Sequence, residues 1–152
     1  MRKALGFFAL LLVLQVAQSV EAQESDVEGG ALNSIELFLG GTIDDNDIDA
    51  SIGIGYERRL SQQFGIGGLV EATAGRRDWV LVVPVFWHPV DPWRFLLGPG
   101  VDDSDGDNEL MMRLGASYEI EFDGWSLSPE LNLDFVDGDV LVVLGASFGW
   151  KF

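Results

Sequence analysis

From Asp47 to Glu57 the chain reads DIDASIGIGYE: Ile48, Ala50, Ile52, Ile54 and Tyr56 fall on one parity, and Asp49, Ser51, Gly53, Gly55 and Glu57 on the other. A two-residue period means a β-strand with two unlike faces. Eight such segments of roughly ten residues follow one another from Leu32. The first sets Ile35, Leu37, Leu39 and Ile43 against Ser34, Glu36, Gly40 and Thr42, with Phe38 on the wrong parity. The others run from about Phe64 to Ala74, Trp79 to His88, Trp93 to Val101, Leu110 to Glu121, Trp125 to Phe135 and Val140 to Phe152. The fourth, containing WVLVVPVFW, is apolar on both faces.

Between the segments lie DDND, SQQ, GRRD, VDPW, DDSDGDNE, FDGW and VDGD, rich in residues that reverse a chain. Such short connectors force antiparallel neighbours. Eight strands with seven reversals predict an all-β, eight-stranded antiparallel up-and-down sheet, and closure into a transmembrane β-barrel removes its exposed edges.

Side-chain size decides which face is enclosed. A soluble lipocalin-like periplasmic barrel would put the apolar parity inside and leave Gly40, Gly53, Gly55, Gly65, Gly67, Gly98, Gly100, Gly115, Gly145 and Gly149 in water, where glycine weakens a strand without solubilising it. Turned the other way, those glycines make room in a narrow lumen for Glu36, Glu57, Glu71, Arg94, Arg113, Glu130 and Asp134, which then pair with one another. Depth suggests Arg113 with Glu71 or Asp134.

The aromatic residues fit this orientation. With a periplasmic N-terminus, Tyr56, Trp87, Tyr118, Phe122, Phe148, Trp150 and Phe152 fall at the ends of descending strands, and Phe64, Trp93, Phe95 and Trp125 at the starts of ascending ones. All reach one rim, as interfacial girdles do, while Trp79 and Phe135 mark the other.

Residues 1–22 read as a signal peptide, with Arg2 and Lys3 before an apolar stretch and Val20-Glu21-Ala22 at the cleavage site. Residues 23–31 form a short polar segment, and 32–152 the barrel. The sequence has no cysteine, so disulfides and thiolate metal sites are excluded. Nine Lys and Arg against 25 Asp and Glu argue against a nucleic-acid partner. The 47% hydrophobic content argues against acidic disorder.

The signal peptide, strand plan, girdle and terminal strand together resemble the small eight-stranded outer-membrane barrels of Gram-negative bacteria, the class of the OmpA membrane domain, OmpX, PagP and PagL. The resemblance covers essentially all of residues 23–152. It implies that Leu144, Ala146, Phe148, Trp150 and Phe152 form the terminal-strand signal read by the barrel assembly machinery. It also implies a monomer among outer-membrane lipids and lipopolysaccharide, without cofactor, in a structural or surface-interaction role.

Eight strands do not enclose a porin-sized channel. A lipid A or phospholipid-modifying enzyme is the alternative within the class. PagP-type enzymes use residues of the outer loops and PagL-type enzymes a strand His-x-Ser pair, whereas His88 is followed by Pro89 and Val90 at the periplasmic end. His88 therefore reads as structural, with no orienting partner in view. Pro84 and Pro99 each remove a ladder donor near one seam and read as bulge or rim positions, with a lateral opening for lipid, by resemblance to PagP, as the alternative. The acidic loop offers Asp103, Asp105, Asp107 and Glu109 to a divalent cation, but with Gly106 at the sixth position of an EF-hand loop the ligand spacing fails. A solvated acidic loop is the expectation, with weak divalent bridging to lipopolysaccharide phosphates, assisted by Arg76 and Arg77, as the alternative.

Overall fold

The computed structural model describes residues 32–44, 47–74, 78–104 and 106–152. The expected signal peptide and polar segment, together with Asp45, Arg76, Arg77 and Asp105, lie outside the described residues. Ten strand segments follow in order: β1 (Asn33–Asp44), β2 (Asp47–Arg59), β3 (Phe64–Thr73), β4 (Asp78–Val82), β5 (Val85–Val90), β6 (Trp93–Ser104), β7 (Asp107–Tyr118), β8 (Ile120–Glu121), β9 (Trp125–Val136) and β10 (Asp139–Lys151).

These ten segments make eight staves. Segments β4 and β5 meet β3 in one register, Leu69 opposite Val82 before the break and Ile66 opposite Val85 after it. The break is Val83-Pro84, where proline has no amide to give the ladder. Likewise β7 and β8 keep one register on β9, with Ser117 opposite Glu130 and Ile120 opposite Leu127. The two staves expected to run unbroken, Trp79 to His88 and Leu110 to Glu121, are thus interrupted.

Every neighbouring pair is antiparallel, and β10 pairs with β1 from Ser34 opposite Lys151 to Ile43 opposite Val142. That pairing closes the sheet into a barrel and leaves no edge, which a sheet in hydrocarbon requires. At the same seam the Asn33 and Phe152 amides donate to each other's carbonyls at 3.0 and 2.9 Å. Connections are minimal. Asp137 and Gly138, at φ 46° and 92°, form the two-residue reversal between β9 and β10, the left-handed pair that suits a twisted hairpin.

The apolar parity faces outward: Ile48, Ile54, Leu97, Leu110 and Trp150 are all more than half exposed. The enclosed-apolar arrangement of a lipocalin is not the one adopted. The exception proves informative, for Phe38 is 2% exposed and points inward. Its ring lies where Cβ atoms on Gly40 and Gly145 would sit, and these two glycines face each other across the β1–β10 seam. The apolar inner parity of the fourth stave has the same explanation, since Val80, Val82 and Phe86 are lumenal filling.

A Cβ at Gly145 would overlap the Phe38 ring and the Leu39 carbonyl, whereas one at Gly55 would meet nothing nearer than 3.6 Å. Gly145→Ala is therefore expected to destabilise the barrel by about 1–3 kcal/mol, with Gly55→Ala close to neutral. Urea midpoints of the two variants in lipid vesicles check the contrast.

Candidate functional site: the charged lumen

The inward parity carries two arginine-centred clusters, one toward the terminus end of the bore and one near its middle. Arg94 of β6, 2% exposed, holds Glu36 of β1 with both terminal nitrogens, Nη2 donating to Oε2 at 3.0 Å. Its Nε donates to Ser117 Oγ at 3.0 Å. Glu57 Oε2 lies 3.5 Å and Glu130 Oε2 3.8 Å from the same guanidinium, which also sits 5.3 Å from the Phe86 ring centroid. Glu36, Glu57 and Glu130 belong to β1, β2 and β9, none of them a neighbour of β6, so these contacts cross the interior.

His88 belongs to this cluster. It lies on the same parity as Val82, Pro84 and Phe86, is 7% exposed, and shares a 2.7 Å hydrogen bond from Nε2 to Glu57 Oε1. Arg59 Nε approaches the same oxygen at 3.4 Å. The expectation of a histidine without an orienting partner is therefore corrected. Its cause is the barrel's curvature, which brings β2 and β5 together across the bore although β3 separates them in the sheet. Gly65 leaves the room in which the Glu57 carboxylate lies.

Arg113 of β7, 1% exposed, centres the second cluster. Its Nε donates to Asp134 Oδ1 at 2.6 Å on the adjacent β9, and its Nη1 to Glu71 Oε2 at 2.6 Å on the distant β3. Both partners suggested by depth are engaged at once. Beside it Thr42, Ser51 and Thr73 share hydroxyl hydrogen bonds of 2.7 and 3.1 Å. Val80, Val82, Met111 and Val136 pack together with Leu69 in the same half. At the terminus end, Lys151 Nζ donates to Glu119 at 2.6 Å and also to Glu121.

Sequence reasoning missed Ser117, Ser147 and Asn132 as partners of these charges. Their inward parity was the available signal. Asn132 Nδ2 and Ser147 Oγ donate to Glu130 at 3.2 and 3.1 Å.

The remaining candidates lie on the surface. Leu144, Phe148, Trp150 and Phe152 are exposed on the outer face of β10, with Ala146 between them. An aromatic band surrounds the terminus end: Phe64 lies opposite Trp87, Trp87 opposite Phe95, Trp93 opposite Tyr118 and Trp125 opposite Trp150. Phe122 and Trp125 stack there at 4.0 Å.

The far rim is acidic, with Asp44 opposite Asp47 and Asp102 opposite Glu109. Strand alternation puts Asp103 on the face opposite to Asp102, so Asp103 does not converge with Glu109. Among the described residues no group of three or more His, Asp or Glu could hold a metal ion.

At the suspected seam with β6, Val83 N donates to the Pro99 carbonyl at 3.0 Å, whereas the Pro84 carbonyl accepts from Gly67 N of β3, also at 3.0 Å. The expectation of two donors lost at one seam is thus corrected: the register sets Pro84 opposite Gly98 and Pro99 opposite Val83, and Pro84 turns its backbone polar side to β3.

No protein-family model matches the chain, and no curated protein matches it either. Solved structures do. Ail, the attachment invasion locus protein of Yersinia pestis, superposes with a TM-score of 0.55 at 15% identity, over 83% of this chain and 100% of that one. Ail in complex with the heparin analogue sucrose octasulfate gives 0.56 at 14% identity, with the same coverages. A de novo designed transmembrane β-barrel gives 0.55 at 13% identity, over 80% of this chain and 98% of the design. Closed antiparallel pairing, outward apolar side chains and these likenesses together establish the fold as a small eight-stranded transmembrane β-barrel.

Proposed function

We propose that the protein is an integral outer-membrane barrel whose lumen is closed by its own side chains, and that it serves a structural or surface-interaction role without conducting solutes. The observation that carries this reading is the pair of cross-bore clusters on Arg94 and Arg113, which occupy the interior where a pore would need water. The apolar packing of Val80, Val82, Met111 and Val136 adds to the obstruction. In this reading a cleaved signal peptide exports the chain, and the assembly machinery engages Leu144, Ala146, Phe148, Trp150 and Phe152. A monomer then stands among outer-membrane lipids and lipopolysaccharide.

The far rim limits the choice of surface partner. Ail has been solved with a heparin analogue, which is a polyanion. Here Asp47, Asp107, Asp137 and Asp139 are exposed around the far end, where a polyanion would be repelled. Lipopolysaccharide phosphates bridged through divalent cations suit that rim better. Catalysis by His88 is not favoured, because the ring is enclosed and held by Glu57, and a general base must reach a substrate proton.

Reconstituted in planar bilayers, the protein is expected to show no stepwise conductance, while an unboiled sample from outer-membrane fractions migrates differently on gels from a boiled one. Steady channel openings would overturn the closed-lumen reading. Arg113→Ala would leave Glu71 and Asp134 buried together without their cation. A loss of about 3–5 kcal/mol in vesicle unfolding is the expected result.

A further inference from the structure

Every seam of the barrel but one joins staves that follow each other in the chain, and a short reversal between them restricts how they pair. The exception is the seam that closes the sheet, where β1 meets β10 with no turn to set the register. We propose that Phe38 is the latch of this closing seam: its ring, seated over Gly40 and Gly145, selects the register in which β10 docks on β1 and holds the two staves together.

The other side chains at the seam leave the register open. On the outer face Leu37 lies opposite Phe148 and Leu39 opposite Ala146, within an apolar alternation that a two-residue slip would leave apolar. On the inner face the polar groups are engaged elsewhere. Glu36 holds Arg94 of β6, and Thr42 shares a hydrogen bond with Ser51 of β2. From β10, Ser147 donates to Glu130 of β9, and Lys151 to Glu119 and Glu121. None of these contacts runs from β1 to β10. The Asn33 side chain does reach the Phe152 carbonyl, but at 3.4 Å and at the exposed end of the seam.

Shape distinguishes what charge does not. Phe38 is 2% exposed, and its ring occupies the places where Cβ atoms on Gly40 and Gly145 would stand. Those glycines face each other across the seam. On the inward parity of β10, Gly145 is flanked by Val143 and Ser147. A slip of two residues in either direction would put one of them in the place of Gly145, and its Cβ would meet the ring. The next glycine on that parity, Gly149, could arrive only by a slip of four, which would strip ladder partners from the ends of both staves, a loss that hydrocarbon does not tolerate.

The chain contains no cysteine, so introduced disulfides can report the register. Leu39→Cys is combined in turn with Ala146→Cys, Leu144→Cys or Phe148→Cys, the native partner and the two partners that a slip of two would supply. Each protein is refolded in detergent and oxidised. Directly opposed positions come within disulfide reach, and diagonal ones do not.

With Phe38 in place, only positions 39 and 146 are expected to cross-link. In Phe38→Ala a slipped pair should appear at the expense of the native one. Amides of β1 and β10 should then exchange with solvent roughly a hundredfold faster, while those of β6 and β7 keep their protection. Phe38→Leu, whose side chain is too short to cover both glycines, gives the same reading if the alanine variant does not refold. Met111→Ala removes lumenal volume away from the seam and should do neither. Native pairing that persists with no slipped pair, exchange that quickens equally at all seams, or the same slip in Met111→Ala would overturn the proposal and leave Phe38 as filling.

Discussion

The structure depends on the narrowness of an eight-stave bore. Hydrocarbon outside the barrel accepts no backbone polar group, so the ladder must close, and closing eight staves leaves an interior only wide enough for side chains. Anything polar that faces inward must then find its partner inward. Arg94 and Arg113 reach it across the bore, on β1 and β3, as well as on the neighbouring staves that carry Ser117 and Asp134. Glycine at the inner positions is the counterpart of this reach. Gly65 accommodates the Glu57 carboxylate, Gly115 the Asn132 amide and Gly145 the Phe38 ring, each filling space that a Cβ would deny it.

How far the sequence reveals this follows from what its period encodes. Alternation reports which face a residue joins, so Glu36, Glu71, Arg113 and Asp134 could be placed inside by parity alone. Partners across the bore depend on strand tilt and stagger, which no local pattern carries. Hence His88 read as solitary although Glu57 is 2.7 Å away. Phe38 read as an error of parity for a related reason: a lumenal aromatic needs glycines on two staves, and one of them, Gly145, is 107 residues along the chain. The fourth stave was ambiguous because apolar filling on its inner face erased the contrast that parity relies on. Its break at Pro84 reflects one missing amide, and the register passes through unchanged.

The two ends of the barrel differ in chemistry. The terminus end gathers aromatic residues on neighbouring staves, whose rings suit the boundary between lipid and water. At the opposite end Asp44 lies opposite Asp47, and Asp137 stands in the two-residue reversal that leads into Asp139. Negative charge there repels other anions unless cations intervene, so the potential at that rim depends on the ions around it.

Buried ion clusters are weak evidence for stability, because desolvation offsets much of their attraction. Their more defensible role here is to fix register. A slip of one residue would turn Arg113 toward lipid, at about 2–4 kcal/mol for an arginine near the midplane, and every other lumenal charge on that stave would follow. A slip of two residues restores the faces, and an alternating apolar exterior would tolerate it. The interior would not, for Arg113 would lose its place opposite Asp134, and Phe38 its place beside Gly145. Outward alternation therefore selects the face, and the inward charges and glycines select among the registers that share it.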